Sequence, residues 1–185
     1  MQPLYGAMAP LTLATKAAII YPWYQAGGAI ALTDIAEWVE NPTIGQLYAG
    51  GTIAGAWAIA FRSVWPGNTA GYNYAFDAQT GRVIIGNALA TNGFFVGSWA
   101  GDGLLTMADN VYFLISNGAS VQAYRNNVAV GSAYSSANDI GGTARWRNNY
   151  SNTTSPWTNA MPKGAIYKIA LDATQRAALY TSMVS

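Results

Sequence analysis

The chain contains no cysteine and no histidine. Disulfide bridges, thiolate or imidazole zinc sites and histidine-ligated haem are excluded at once. So are Ser-His-Asp and Cys-His nucleophile sets, and any histidine general base. Charge is also scarce: 9% of residues are Asp, Glu, Lys or Arg, against roughly 25% in an ordinary domain. Nine basic and eight acidic residues leave a formal net charge of +1. The densest basic stretch is the short Arg145-Trp146-Arg147. A nucleic-acid partner needs several clustered cations to release counterions, so none is expected.

A long apolar run is missing too. Residues 17–33 carry no charge until the stretch ends, but Pro22, Gln25, Gly27 and Gly28 interrupt them. A membrane-spanning helix needs about 20 mostly apolar residues, so this stretch is expected as a buried strand and turn, with no membrane partner. The first charge is Lys16, and the basic start of a secretory signal is lacking.

What is present is apolar and aromatic. Of the 185 residues, 51% are hydrophobic and 13% are Phe, Trp or Tyr. That is enough to bury the core of one domain. The surface must then be built of Asn, Ser, Thr, Gln, Gly and Tyr. Such a surface repels other molecules weakly. It suits a subunit packed in an assembly, or a binder of neutral polar ligands.

Residues 1–45 are rich in Ala, Leu and Ile and are expected as an N-terminal arm. Its apolar residues Leu4, Tyr5, Leu11, Ile19, Ile20, Tyr21, Trp23 and Tyr24 are candidate assembly contacts. "LTDIAEWVEN" predicts a short helical turn. Thr33 would cap it, Ile35, Trp38 and Val39 would share a face, and Pro42 would end it. Residues 46–185 read as strands and turns. "TIAGAWAIAFRSV" puts Trp57, Ile59 and Phe61 at alternate positions, and "YNYAF" does the same with Tyr72, Tyr74 and Phe76. "NVYFLIS" is a strand buried on both faces. Asn117-Gly118 and Asn126-Asn127 are hairpin turns, because these residues accept positive φ. "LDATQRAALYTSM" predicts a C-terminal helix with Asp172 as cap, Gln175 three residues later, and Leu179 and Met183 on its apolar stripe. Many short strands without βαβ alternation predict an all-β sandwich.

The C-terminal part of the chain resembles a known family. "VQAYRNNVAVGS" is similar to the "Y-x-N-G-x-x-V" hairpin of concanavalin A-like jelly rolls of the laminin-G type, with Asn127 in place of the preferred Gly. "GAIYKIALDATQRAALYTSM" resembles their closing strand and helix, with Leu171, Asp172, Ala178, Leu179 and Tyr180 in matching places. "DIGGTARWRNN" resembles the strand between them. The resemblance covers about residues 100–185. It implies two antiparallel sheets of about six strands packed face to face. It fixes no function, since the family includes lectins, glucanases, adhesion modules and accessory domains of phage structural proteins.

The chemistry narrows the choice. The jelly-roll glucanases carry paired carboxylates on one strand, in a pattern resembling "E-x-D-x-x-E". None exists here. Asp77, Asp102, Asp109, Asp139 and Asp172 read as isolated turn or cap residues, and Glu37 and Glu40 as a solvated face. The chain is therefore expected to be no enzyme. Asp102 and Asp109 could offer oxygens to Ca²⁺, but read more simply as turn formers; no metal or cofactor is expected. The best ligand-like stretch is "RWRNNYSNTTSPW". It sets Trp146, Tyr150 and Trp157 among Arg145, Arg147, Asn148 and Asn149, as candidate contacts for a sugar or a partner. Buried tryptophans plugging the sandwich edge are the competing reading. The leading expectation is a non-enzymatic virion protein, most simply a phage capsid decoration (cement) protein. It would contact copies of itself and a major capsid or other virion protein, and reside in the virion. The alternative is a carbohydrate-binding, lectin-like module recognising a surface glycan.

Overall fold

The computed structural model describes residues 30–67, 71–88, 91–135, 138–151 and 155–185. Two antiparallel sheets pack face to face. The first has six strands in the order β1-β11-β2-β7-β8-β9. These are β1 (Ile35–Glu40), β11 (Lys163–Tyr167), β2 (Ala56–Val64), β7 (Asp109–Asn117), β8 (Val121–Arg125) and β9 (Val128–Tyr134). The second has five, β10-β3-β4-β5-β6: β10 (Gly141–Trp146), β3 (Tyr72–Thr80), β4 (Val83–Ala88), β5 (Thr91–Val96) and β6 (Trp99–Ala100). One helix, α1 (Ala173–Val184), follows the last strand. The expected all-β jelly-roll sandwich with a short C-terminal helix is what forms.

Alternation within β2 explains why there are two cores. Trp57, Ile59 and Phe61 point between the sheets, where they meet Phe76, Phe94, Tyr112, Trp146 and Trp157. Ala58 and Ala60 point outward, and their small side chains let α1 approach. There Leu179 and Met183 pack with Val111, Phe113 and Tyr167. β2 and β7 are buried on both faces, as the unbroken apolar run of β7 requires.

The helix is tied at both ends. Asp172 accepts from the backbone N–H of Gln175, whose side chain accepts from Asp172 N in return, a complete capping box. At the other end Arg62 donates to the Met183 and Val184 carbonyls and Lys163 to the Ser182 carbonyl. Cations there oppose the negative end of the helix dipole. Arg176 lies 3.9 Å over the Tyr124 ring and donates to Asn127, fastening the helix to the β8–β9 hairpin. The turn of that hairpin is Asn126-Asn127, with φ of 49° and 65°. Left-handed geometry at both positions matches the twist of the flanking strands.

Two local expectations are overturned. Residues 35–40 form a strand rather than a helical turn; a 3-10 turn, Leu32–Asp34, directly precedes it. β1 pairs along β11, with Trp38 opposite Ala165 and Val39 opposite Gly164. Val39 faces the inter-sheet core while Ile35 and Trp38 pack on the helix side. Pairing at an open sheet edge outweighs the weak helical periodicity of six residues. The stretch 35–45 thus belongs to the sandwich. The candidate arm contacts Leu4, Tyr5, Leu11, Ile19, Ile20, Tyr21, Trp23 and Tyr24 lie outside the described residues. Second, Tyr72, Tyr74 and Phe76 do not share a face. The ladder with β4 shifts between Tyr74 and Phe76. This bulge sends Phe76 into the core and leaves both tyrosines on the outer face.

Candidate functional site

The expected sugar loop is largely internal. Trp146 and Trp157 are both 0% exposed. The Trp146 indole donates to Glu37 at 2.6 Å and its ring meets Phe76 edge-on at 5.1 Å. Trp157 donates to the Ser63 hydroxyl at 2.8 Å and sits edge-on to Phe61. Neither can offer a face to a ligand. Arg147 donates to the carbonyls of Pro42, Trp157 and Thr158. It is an internal staple, and burial pushes its pKa down. Asn148 is buried, and its side chain accepts from Asn149 N. Of this set, only Arg145 and Tyr150 reach the site described next. Burying the tryptophans satisfies the apolar demand of the sheet edge, which the polar residues around them in sequence conceal.

The carboxylates are also more committed than the sequence suggests. Glu37 is half-buried rather than on a solvated face: burial pushes its pKa up, against donation from Trp146 and the Ala49 N–H. Asp102 accepts from Asn92 N, and Asp109 pairs with Arg62. Among the described residues no group of three or more His, Cys, Asp or Glu could hold a metal.

The outer face of the five-stranded sheet carries the concentrated chemistry. Register places Arg145 beside Asp77, Asp77 beside Ile84, Ile84 beside Phe95, and Phe95 beside Trp99. These five residues form one row across all five strands. Their chain neighbours Phe76, Ala78, Val83, Ile85, Phe94, Val96, Ala144 and Trp146 point into the inter-sheet core. The row therefore faces outward. Ile84 and Tyr74 are 3% and 6% exposed yet belong to neither core cluster. The face thus has a packed floor of its own.

The two ends of the row differ in character. At the polar end Asp77 is 0% exposed, though it is strand residue rather than turn residue. Arg82 donates to both its oxygens, at 3.0 and 3.3 Å, and the Tyr150 backbone N–H donates to one at 3.2 Å. Burial still dominates and pushes the Asp77 pKa up. Arg82 adopts φ of 52° next to Gly81. Left-handed backbone at a residue with a Cβ costs roughly 1–2 kcal/mol. Here it turns the guanidinium back over the sheet, 5.1 Å above the Tyr150 ring. Arg145 donates to the carbonyls of Tyr150 and Gly45.

At the aromatic end Phe95 and Trp99 stand 5.8 Å apart, centroid to centroid. Trp99 lies 6.5 Å from Tyr74, which lies 6.0 Å from Tyr72. Arg82 also reaches the Tyr74 hydroxyl, while burial raises that phenol's pKa to about 12, so it remains a proton donor. The Tyr74 ring lies against Gly86, its partner on β4. A Cβ at Gly86 would run into the Asn73 carbonyl and come 2.8 Å from the ring. Gly86→Ala is therefore expected to cost about 1–3 kcal/mol and to disturb the Tyr74–Trp99 contact, read as a lower urea midpoint. A midpoint equal to wild type would show that the ring does not rest there.

The residues missed from sequence are Tyr72, Tyr74, Asp77, Arg82, Phe95 and Trp99. Period-2 reading of "GFFVGSW" could have separated Phe95 from Phe94. The bulge at Ala75 gives no sequence signal.

The chain is similar in fold to domains attached to glycan-active enzymes. Domain 4 of AbnA, a GH43 extracellular arabinanase from Geobacillus stearothermophilus, in complex with arabinotriose, aligns with a TM-score of 0.55 at 13% identity, over 78% of this chain and 87% of that one. The CBM40 of the Ruminococcus gnavus IT-sialidase, bound to α2,3-sialyllactose, aligns with a TM-score of 0.55 at 8% identity, over 79% and 99%. A leech intramolecular trans-sialidase aligns at 0.54 and 12% identity over 82% of this chain, which spans 28% of that enzyme. No family model and no curated protein matches. At these identities the likeness shows the fold: a jelly-roll β-sandwich.

Proposed function

We propose that the chain is a non-enzymatic carbohydrate-binding module whose ligand lies on the outer face of the five-stranded sheet. The observation that carries this reading is the cross-strand row that runs from a braced guanidinium pair to an aromatic shelf. A sugar ring has the matching amphipathy. Its axial C–H groups suit the electron-rich face of an aromatic ring, and its hydroxyls suit nearby polar groups. The glycan-associated structures named above support the reading over capsid decoration. That expectation drew on the apolar arm, which lies outside the described residues, and on low charge, which suits a neutral glycan equally.

Catalysis is not proposed. The usual hydrolysis of a glycosidic bond uses two carboxylates flanking one bond. The two with raised pKa, Glu37 and Asp77, lie on opposite sides of the five-stranded sheet, one against the core residue Trp146 and the other in the outward row.

The test is a glycan array followed by titration calorimetry on wild type and Trp99→Ala. Trp99 is only partly buried, so the variant is expected to fold, with unchanged far-UV dichroism. It should bind the array hit at least about tenfold more weakly, about 1.4 kcal/mol. Equal binding by the variant, or no hit on the array, would remove the proposal.

A further inference from the structure

We infer that this face takes the interior of an extended, neutral saccharide chain at two separate stacking positions, rather than one terminal sugar. The inference rests on the glycan-binding reading above and adds the ligand class.

The rings divide by exposure. Tyr72 is 47% exposed at one end, and Trp99 with Phe95 is partly exposed at the other. Tyr74 joins them, in ring contact with both Tyr72 and Trp99. At 6% exposure it is no platform itself. It is a spacer, wedged against Gly86, that fixes how far apart the two exposed platforms stand. Each of the two intervening steps is 6.0–6.5 Å between ring centres. With the Tyr74 ring between them, Tyr72 and Trp99 form two stacking positions rather than one continuous shelf. One monosaccharide can cover Trp99 or Tyr72, and only a chain can cover both.

Charge at the site is already spoken for. Both guanidiniums on the face have partners: Arg82 grips both Asp77 oxygens, and Arg145 donates to two backbone carbonyls. The Arg82 charge is already balanced by Asp77 at 3.0 Å, so a carboxylated sugar would meet a neutral pair there rather than a free cation. The group left for a ligand is amide in character: Gln79, exposed and two residues beyond Asp77 on the same face of β3, keeps its amide N–H donors while its oxygen accepts from Thr143 N. It suits hydroxyl groups.

The experiment is calorimetric titration of the intact chain with arabino-, xylo- and cello-oligosaccharides of two to six units, and with 3′-sialyllactose. Within a series that binds, affinity should rise about tenfold or more from disaccharide to tetrasaccharide. Tyr72→Ala should cancel most of that rise with length, whereas Trp99→Ala should weaken binding at every length. Length-independent affinity through Trp99, or tightest binding by sialyllactose, would overturn this inference and leave the glycan-binding reading standing. Binding indifferent to Trp99→Ala, or none at all, would overturn both.

Discussion

Replacing Trp146 by alanine should cost about 3–5 kcal/mol of folding stability. The side chain is 0% exposed and its ring packs on Phe76. Its removal leaves a cavity in the seam between the sheets. It also takes the indole N–H from Glu37, whose carboxylate lies partly buried and is already pushed toward protonation by burial. Trp146→Phe separates the two losses. It keeps much of the packing while removing the donor, so it should cost less than the alanine, about 1–3 kcal/mol. Urea unfolding of the three proteins checks this ordering. A loss within about 0.5 kcal/mol for Trp146→Ala, the size typical of a surface change, would contradict the core placement.

The second large effect is a pH dependence centred on Asp77. Burial raises its folded pKa above the unfolded value, and Arg82 and the Tyr150 N–H only partly oppose this. The carboxyl therefore binds its proton more tightly in the folded state. Its contribution to stability is fully present below the ordinary carboxylate pKa of about 4. It is lost as pH rises through the raised folded value. Glu37 is shifted in the same direction, again chiefly by burial. Overall charge also changes with pH, so the informative quantity is the difference between wild type and Asp77→Asn. The asparagine can still accept from Arg82 and Tyr150 N, but it cannot ionise. From pH 4 to pH 7 the variant should gain stability relative to wild type, read from urea midpoints at constant slope. A difference that stays flat, or that moves against the variant, would mean that the aspartate is better solvated than its burial indicates.

The sequence made the sandwich legible because its strands alternate strongly. Trp57, Ile59 and Phe61 line one face of β2, and the alanines between them mark where α1 lands. The Asn126-Asn127 turn and the Asp172–Gln175 capping box are local signals that needed no tertiary information. Three features could not be read. Strand β1 exists because β11 offers it an edge, and nothing in "IAEWVE" announces that partner. The bulge at Ala75 shifts the register by one residue, which moved Tyr72 and Tyr74 to the opposite face from Phe76. The tryptophans of the 145–157 stretch looked like a surface because polar residues surround them in sequence. In space they meet Phe76, Phe61 and Ser63, from strands far away along the chain. The site was missed for the same reason: Arg145, Asp77, Ile84, Phe95 and Trp99 come from five strands and share no motif.

The most direct measurement follows the tryptophan indole N–H signals by nitrogen-15 NMR while an oligosaccharide that binds is added. The chain has seven tryptophans, and Trp57, Trp146 and Trp157 are fully buried, so they serve as internal references. The account predicts that the Trp99 indole signal shifts and saturates with ligand while those three stay in place. Movement at Trp38 on the opposite sheet with Trp99 unchanged would contradict it and place the ligand on another face.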